Sequence, residues 1–129
     1  MAGSADEKRG FIRVPFCTEV HVQAQGVIIL SCEGIDLSLN GIRLATSNAT
    51  PAAGTSCRVK IFLQASGDPL IIEAKGEMIR SGPGIAAIEF KELDLDSYNH
   101  LRQLILNNTD DPEKAELEFI AHWGIREPR

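Results

Sequence analysis

Asp36, Ser38 and Gly41 are the residues of this chain whose types and spacing most suggest a chemical task. They lie in the segment Asp36-Leu37-Ser38-Leu39-Asn40-Gly41, between two apolar stretches, so we predict a polar turn that joins two strands. A carboxylate only accepts hydrogen bonds at neutral pH, whereas a hydroxyl both donates and accepts. Such a pair suits the edge of a guanine base, whose adjacent N–H donors can face one carboxylate. Gly41 tolerates positive φ and lets a ligand or another backbone come close.

Two arginines precede this segment, Arg9 and Arg13, four positions apart and therefore on one side of a strand or a helix. Gly10 and Pro15 disfavour a helix here, so we predict an extended arm. The two Cα atoms would then lie roughly 13 Å apart, too far for both side chains to share one phosphate. Each guanidinium can pair bidentately with a phosphate or stack flat on a base. The two guanidinium groups of the arm are therefore suited to binding opposite ends of a dinucleotide.

Each of these residues also has an ordinary structural explanation. An Asp-x-Ser segment often hydrogen-bonds to its own backbone, and arginines in an arm are usually solvated. The functional interpretation is favoured because both groups occur in one order and flank strands, although only a structural context can confirm such a motif.

The order Arg-x-x-x-Arg and then Asp-x-Ser-x-x-Gly resembles the signature of the PilZ domain family. Arg9 and Arg13 match its first part, and Asp36, Ser38 and Gly41 match its second part. The resemblance implies a small β-barrel that binds the bacterial second messenger cyclic di-GMP.

The resemblance covers about residues 8–106 and implies a role for each matching residue. The two arginines would bind phosphate oxygens and stack on guanine. Asp36 and Ser38 would read the base edge and a nearby phosphate, and Gly41 would allow close approach. Lys8 occupies a position where an arginine is associated with a stacked pair of ligand molecules and an apolar residue with a single one. Lysine keeps the charge but lacks the flat surface, so both stoichiometries stay open.

Composition and charge limit the class of protein. A chain of 129 residues suffices for one domain with a sound core. Its net charge of −5 argues against general nucleic-acid binding, so the basic arm is a local site for a small anion. No apolar run approaches the roughly 18 residues that membrane insertion needs, and residues 1–7 lack the apolar core of a signal peptide. Cys17, Cys32 and Cys57 have no metal-like spacing and are expected to be buried free thiols, which favours a cytoplasmic location.

Alternating apolar and polar residues predict about six short strands, with Gly76 marking a bulge or a sharp bend. We therefore predict a mainly β fold, a small six-stranded antiparallel β-barrel of the PilZ type, in which closure removes exposed strand edges. The predicted strands cover residues 16–23, 27–33, 42–45, 57–63, 70–80 and 85–90.

The chain then changes to helical periodicity. Apolar residues recur every three or four positions over about residues 94–106, and Asp94 or Asp96 can cap this helix. Asp111-Pro112 begins a second helical signal, a short tail that could pack on the barrel or meet a partner. The predicted division is a flexible N-terminus at 1–7, a barrel domain with its arm at 8–108 and a helical tail at 109–129.

Two functions follow from different classes of protein. The first is a cyclic di-GMP receptor whose arm is loose when empty, folds over the ligand and signals to an effector protein that the sequence does not identify. The alternative is a PilZ-like scaffold that makes only protein–protein contacts. An enzyme ranks third, because His21, His100 and His122 are scattered and suggest neither a metal site nor a catalytic triad. We expect no cofactor besides the ligand, and a homodimer is left open.

Overall fold

The computed structural model describes residues 11–16, 18–24, 26–46, 51–63, 70–82 and 84–123. Over these residues the chain forms seven strands followed by two helices. The strands are β1 (Arg13–Pro15), β2 (Glu19–Ala24), β3 (Val27–Ser38), β4 (Gly41–Ala45), β5 (Ser56–Leu63), β6 (Leu70–Gly82) and β7 (Ile85–Leu93), and the helices are α1 (Leu95–Asn108) and α2 (Pro112–Trp123).

All strand pairs are antiparallel, and the strands form one sheet in the order β1-β3-β2-β5-β6-β7-β4. The long strand β3 organises the sheet, because β1 and β2 lie end to end along it while its second half also pairs with β4. The predicted mainly β, antiparallel fold with C-terminal helices is confirmed. The closed six-stranded barrel is corrected to a seven-stranded sheet that curls back on itself where β3 meets β4.

The additional strand is the end of the predicted arm. Val14 is almost completely buried, and Arg13–Pro15 pairs with Asp36–Ser38 of β3. Burying a valine side chain contributes roughly 1.5–3 kcal/mol, which favours pairing over a loose segment. The expectation that the arm is loose when empty is therefore wrong for Arg13, although it stays untested for residues 1–10, which lie outside the described residues.

The interior is lined by every second residue of the strands, as the period of a strand requires. Gly76 lies at a register shift between β6 and β7, and a Cβ built on it would lie 2.5 Å from the carbonyl oxygen of Glu89. The bulge predicted at this glycine is thus confirmed. The most deeply buried strand residues include Val20, Leu37, Ile42, Val59, Ile61, Ile72, Met78 and Ile88.

Helix α1 begins after Asp94, whose side chain accepts a hydrogen bond of 2.7 Å from the backbone N–H of Ser97, so the predicted cap is confirmed. Helix α2 packs on α1. Phe119 is fully buried, and Arg102 donates to both carboxylate oxygens of Glu116, at 2.6 and 3.1 Å. Among the described residues, neither helix is long and apolar enough to span a membrane.

Candidate functional site

The candidate site begins with a tight hairpin. Strands β3 and β4 are joined by Leu39 and Asn40 alone, so Asp36 and Ser38 lie in a strand and the turn predicted over residues 36–41 is shorter than expected. Pairing across this hairpin places Arg43 directly opposite Asp36. Because side chains alternate between the two faces of a sheet, the buried Leu37 leaves Asp36 and its partner on the outer face.

A second arginine reaches Asp36 from the other edge of β3. Strand β1 places Arg13 opposite Ser38 and Pro15 opposite Asp36. Arg13 is therefore the diagonal neighbour of Asp36, a position from which long side chains still make contact. The central strand thus carries a carboxylate flanked by one arginine from each neighbouring strand.

The three side chains form one ion-paired cluster. Arg13 Nη1 donates to Asp36 Oδ1 at 3.0 Å, and Arg43 Nε donates to Asp36 Oδ2 at 2.9 Å, with Arg43 Nη2 also on Oδ2. The Asp36 side chain is only 11% exposed, whereas the arginine side chains are 39% and 41% exposed. The cluster therefore has a net charge of +1 and turns two partly exposed guanidinium groups toward solvent in an acidic protein.

Ser38 supports the turn. Its side chain is fully buried, its hydroxyl donates to Asn40 Oδ1 at 3.0 Å, and it accepts from the Asn40 backbone N–H at 3.4 Å. This is the local side-chain-to-backbone bonding that gives an Asp-x-Ser segment its ordinary structural explanation. In this arrangement the hydroxyl holds the turn.

Gly41 is required by packing. The glycines with positive φ among the described residues are Gly26, Gly54 and Gly84, so Gly41 does not use the conformational freedom that a glycine offers. A Cβ at Gly41 would lie 2.8 Å from the carbonyl oxygen of Ile88. The close approach predicted at this glycine is therefore made by the backbone of β7.

The structure brings Arg13, Asp36 and Ser38 together as the sequence predicts, and it adds Arg43. Arg9 and Lys8 lie outside the described residues. Sequence reasoning missed Arg43 because it predicted a turn over residues 36–41, which is longer than the observed turn. With the turn at residues 39 and 40, hairpin pairing alone sets Arg43 opposite Asp36.

Two other features of the described residues do not compete with this site. They contain no group of three or more His, Cys, Asp or Glu side chains that could hold a metal ion. A depression of about 480 Å³ opens over strands β2, β5 and β6, away from the arginine cluster. Its lining contains both basic and acidic side chains, so it favours neither anions nor cations. The basic residues are Arg58, Lys60 and Lys75, and the acidic residues are Glu73, Glu92 and Asp94.

The sequence matches the PilZ domain family over residues 7–107, so this chain belongs to that family. PilZ is a cyclic di-GMP-binding family of binding and regulatory domains. No curated protein matches the chain.

Several solved structures share the fold. The PilZ domain of YcgR from Escherichia coli with c-di-GMP is 13% identical, with a TM-score of 0.60 over 92% of this chain and 99% of that chain. The PilZ domain of CeSA from a cellulose-synthesizing bacterium is 22% identical, with a TM-score of 0.58 over 74% and 96% of the two chains. The Bacillus subtilis inhibitor of motility MotI/DgrA is 18% identical, with a TM-score of 0.66 over 77% of this chain. This chain spans about half the length of that inhibitor, 50%.

Proposed function

We propose that this protein is a cyclic di-GMP receptor that binds the dinucleotide at the cluster of Arg13, Asp36 and Arg43. The proposal rests on one observation: the two guanidinium groups are ion-paired and yet partly exposed. Each is held in place by one nearly buried carboxylate and still exposes about two fifths of its side chain. Guanidinium groups fixed in this way lose little side-chain freedom when they bind a phosphate or stack on a base.

The roles of the individual residues follow from these contacts. Arg13 and Arg43 bind phosphate oxygens or stack on guanine, and Arg9 adds a third guanidinium from the arm. Asp36 fixes the directions of the two arginines, because both of its oxygens already accept hydrogen bonds from them. Ser38 acts by maintaining the turn beside the cluster. The ligand then binds without a metal ion or a second cofactor.

The signal leaves the site through the arm. The part of the arm that carries Arg9 closes over the bound dinucleotide, and this ordering costs part of the contact energy. The arm, the ligand and the outer face of β3 and β4 then form a new surface that an effector protein recognises. A scaffold that makes only protein contacts is the alternative function, and the exposed Leu117 and Ile120 of α2 favour it, but it does not explain why the two ion-paired arginines also expose their charge.

Titration calorimetry with cyclic di-GMP tests the proposal. We expect the wild-type protein to bind and Arg13→Ala to bind about ten- to a hundredfold more weakly, because it loses charge-assisted hydrogen bonds. Arg58→Ala is the matched control, since it removes an exposed strand arginine distant from Asp36. A wild-type protein that gives no heat of binding, or an Arg13→Ala variant that binds as the wild type does, would overturn the proposal.

A further inference from the structure

Helix α2 contacts both chain segments that carry the candidate site. Glu118 Oε1 accepts a hydrogen bond of 2.9 Å from the backbone N–H of Ile12, the residue just before Arg13. Five residues further along the helix, the indole N–H of Trp123 donates to the carbonyl oxygen of Leu39 at 2.9 Å. Leu39 follows Ser38 in the hairpin turn. One helix therefore contacts both the arm and the turn, next to the end of β3 where Arg13 pairs with Ser38.

The arm has a further contact with this helix. The rings of Phe11 and His122 meet edge to face with their centroids 5.2 Å apart. His122 is one turn beyond Glu118, so both side chains project from the same face of α2. Phe11 and Ile12 are partly buried against the core. The segment entering β1 thus contacts α2 at two consecutive residues, through the Phe11 ring and the Ile12 backbone.

The helix is itself fixed independently of these contacts. Phe119 is fully buried, and Glu116 pairs with Arg102 of α1 through two hydrogen bonds. A helix anchored on α1 can hold the arm in place, rather than merely lie against it. Any displacement of α2 would withdraw the support of Ile12 and Leu39 together.

We propose that α2 is a positioning brace for the ligand site, and that its docking and ligand binding are thermodynamically coupled. The inference rests on the proposed cyclic di-GMP receptor function. With α2 docked, the ligand finds Arg13 already in place. With α2 displaced, the competent arrangement is a minor state, and apparent affinity falls by its fractional population. Coupling is reciprocal, so cyclic di-GMP must strengthen the docking of α2 by the same factor.

Three variants at the brace test the inference by titration with cyclic di-GMP. Glu118→Ala removes the acceptor for the Ile12 N–H and should weaken binding about two- to tenfold, the range of one hydrogen bond. Glu118→Gln keeps an acceptor oxygen and should restore most of the affinity. Glu113→Ala, the same truncation at an exposed carboxylate in the first turn of α2, should leave affinity unchanged.

A double variant separates positioning from general destabilisation. If Glu118 acts through Arg13, then Glu118→Ala in an Arg13→Ala background should cost much less affinity than it does in the wild type. Trp123→Phe keeps an aromatic ring but removes the N–H donor to Leu39, and it provides an independent variant should Glu118→Ala fold poorly. We expect it to weaken binding in the same range.

The outcomes distinguish the two proposals. A wild-type protein that does not bind cyclic di-GMP overturns the receptor function and the inference that rests on it. A wild-type protein that binds, with folded Glu118→Ala and Trp123→Phe variants of unchanged affinity, overturns the brace alone. Hydrogen exchange gives a second reading, because α2 amides of the wild type should gain protection when the ligand is added. Binding without that gain would also overturn the brace.

Discussion

Arg43 lies directly across the β3–β4 hairpin from Asp36, and its guanidinium donates two hydrogen bonds to one oxygen of that carboxylate. The other oxygen accepts from Arg13. A nearly buried carboxylate that lost either partner would keep its desolvation penalty with less compensation. The arginines of the candidate site therefore stabilise the fold while their guanidinium groups stay partly exposed to solvent.

Replacement of Arg43 by alanine should change both stability and binding. We expect the free energy of unfolding to fall by roughly 1–3 kcal/mol, because Asp36 loses two charge-assisted donors. Affinity for cyclic di-GMP should fall about tenfold or more as one guanidinium is lost. Arg43→Lys keeps the charge without the planar fork and should recover only part of each effect. Urea denaturation and calorimetric titration measure the two quantities, and unchanged values of both would contradict the assignment of Arg43.

Base specificity can separate two roles of Asp36. A carboxylate that reads guanine should reject cyclic di-AMP, whose adenine lacks the adjacent donor pair. A carboxylate that holds Arg13 and Arg43 should instead affect both ligands alike. We expect Asp36→Asn to weaken cyclic di-GMP and cyclic di-AMP by similar factors, since its oxygens are already occupied by the arginines. The test is the ratio of the dissociation constants for cyclic di-AMP and cyclic di-GMP, measured in the wild type and in the variant. An unchanged ratio supports the positioning role of Asp36. A ratio that collapses toward one in the variant would show that Asp36 reads the base.

Gly41→Ala should destabilise the sheet. The new methyl group would lie 2.8 Å from the carbonyl oxygen of Ile88, which belongs to backbone that cannot easily move. Overpacking of this kind costs roughly 1–3 kcal/mol. The midpoint of urea unfolding should fall accordingly, while the protein that remains folded should bind cyclic di-GMP nearly as the wild type does. Normal stability with abolished binding would instead indicate that the ligand approaches the backbone at Gly41.

The thiol of Cys57 should be unreactive in the folded protein. Burial, and secondarily the negative charge of Glu77, raise the pKa of Cys57 to about 11, so the thiolate is scarce near neutral pH. We expect alkylation by iodoacetamide at pH 8 to require unfolding, as mass spectrometry of peptides containing Cys57 would show. Fast labelling in the native state would contradict this burial.

The same shift predicts how stability depends on pH. Between about 9 and 11 the unfolded chain releases the Cys57 proton and the folded chain retains it, so this group's contribution to stability should decline as pH rises through that window. A Cys57→Ala variant lacks this titration and provides the control in alkaline unfolding measurements. If the free energies of unfolding of the two proteins depended equally on pH over that range, the raised pKa of Cys57 would be contradicted.

Much of the sheet was predictable because a strand with one buried face repeats every two residues. Strand β5 shows this pattern clearly, and its predicted and observed bounds differ by one residue. The short strand β1 was not predictable from its three residues, since Pro15 argues against pairing and the burial of Val14 depends on β3. The prediction of buried free thiols is confirmed for Cys57, whereas Cys17 and the side chain of Cys32 lie outside the described part of the structure.

The candidate site was predictable in its motif residues but not in its contacts. Local chemistry identified Arg13, Asp36 and Ser38, whereas Arg43 required the turn to be placed at its true length. The helical signal of α2 was equally clear from periodicity. The docking of α2 beside Ile12 and Leu39 could not be predicted, because no local pattern encodes contacts between residues that are 106 and 84 positions apart.

The contact between Ile12 and Glu118 also bears on the order in which the protein folds. Its partners are 106 positions apart, and Leu39 and Trp123 are 84 apart. Closing such long loops is entropically unfavourable, and non-local contacts form late and slowly. During synthesis the hairpins can pair as they emerge, but the residues that lead into Arg13 find their anchor only when α2 has left the ribosome. A chain synthesised only as far as Leu93 would therefore contain every described strand and yet lack the helix that the proposed coupling requires for tight ligand binding.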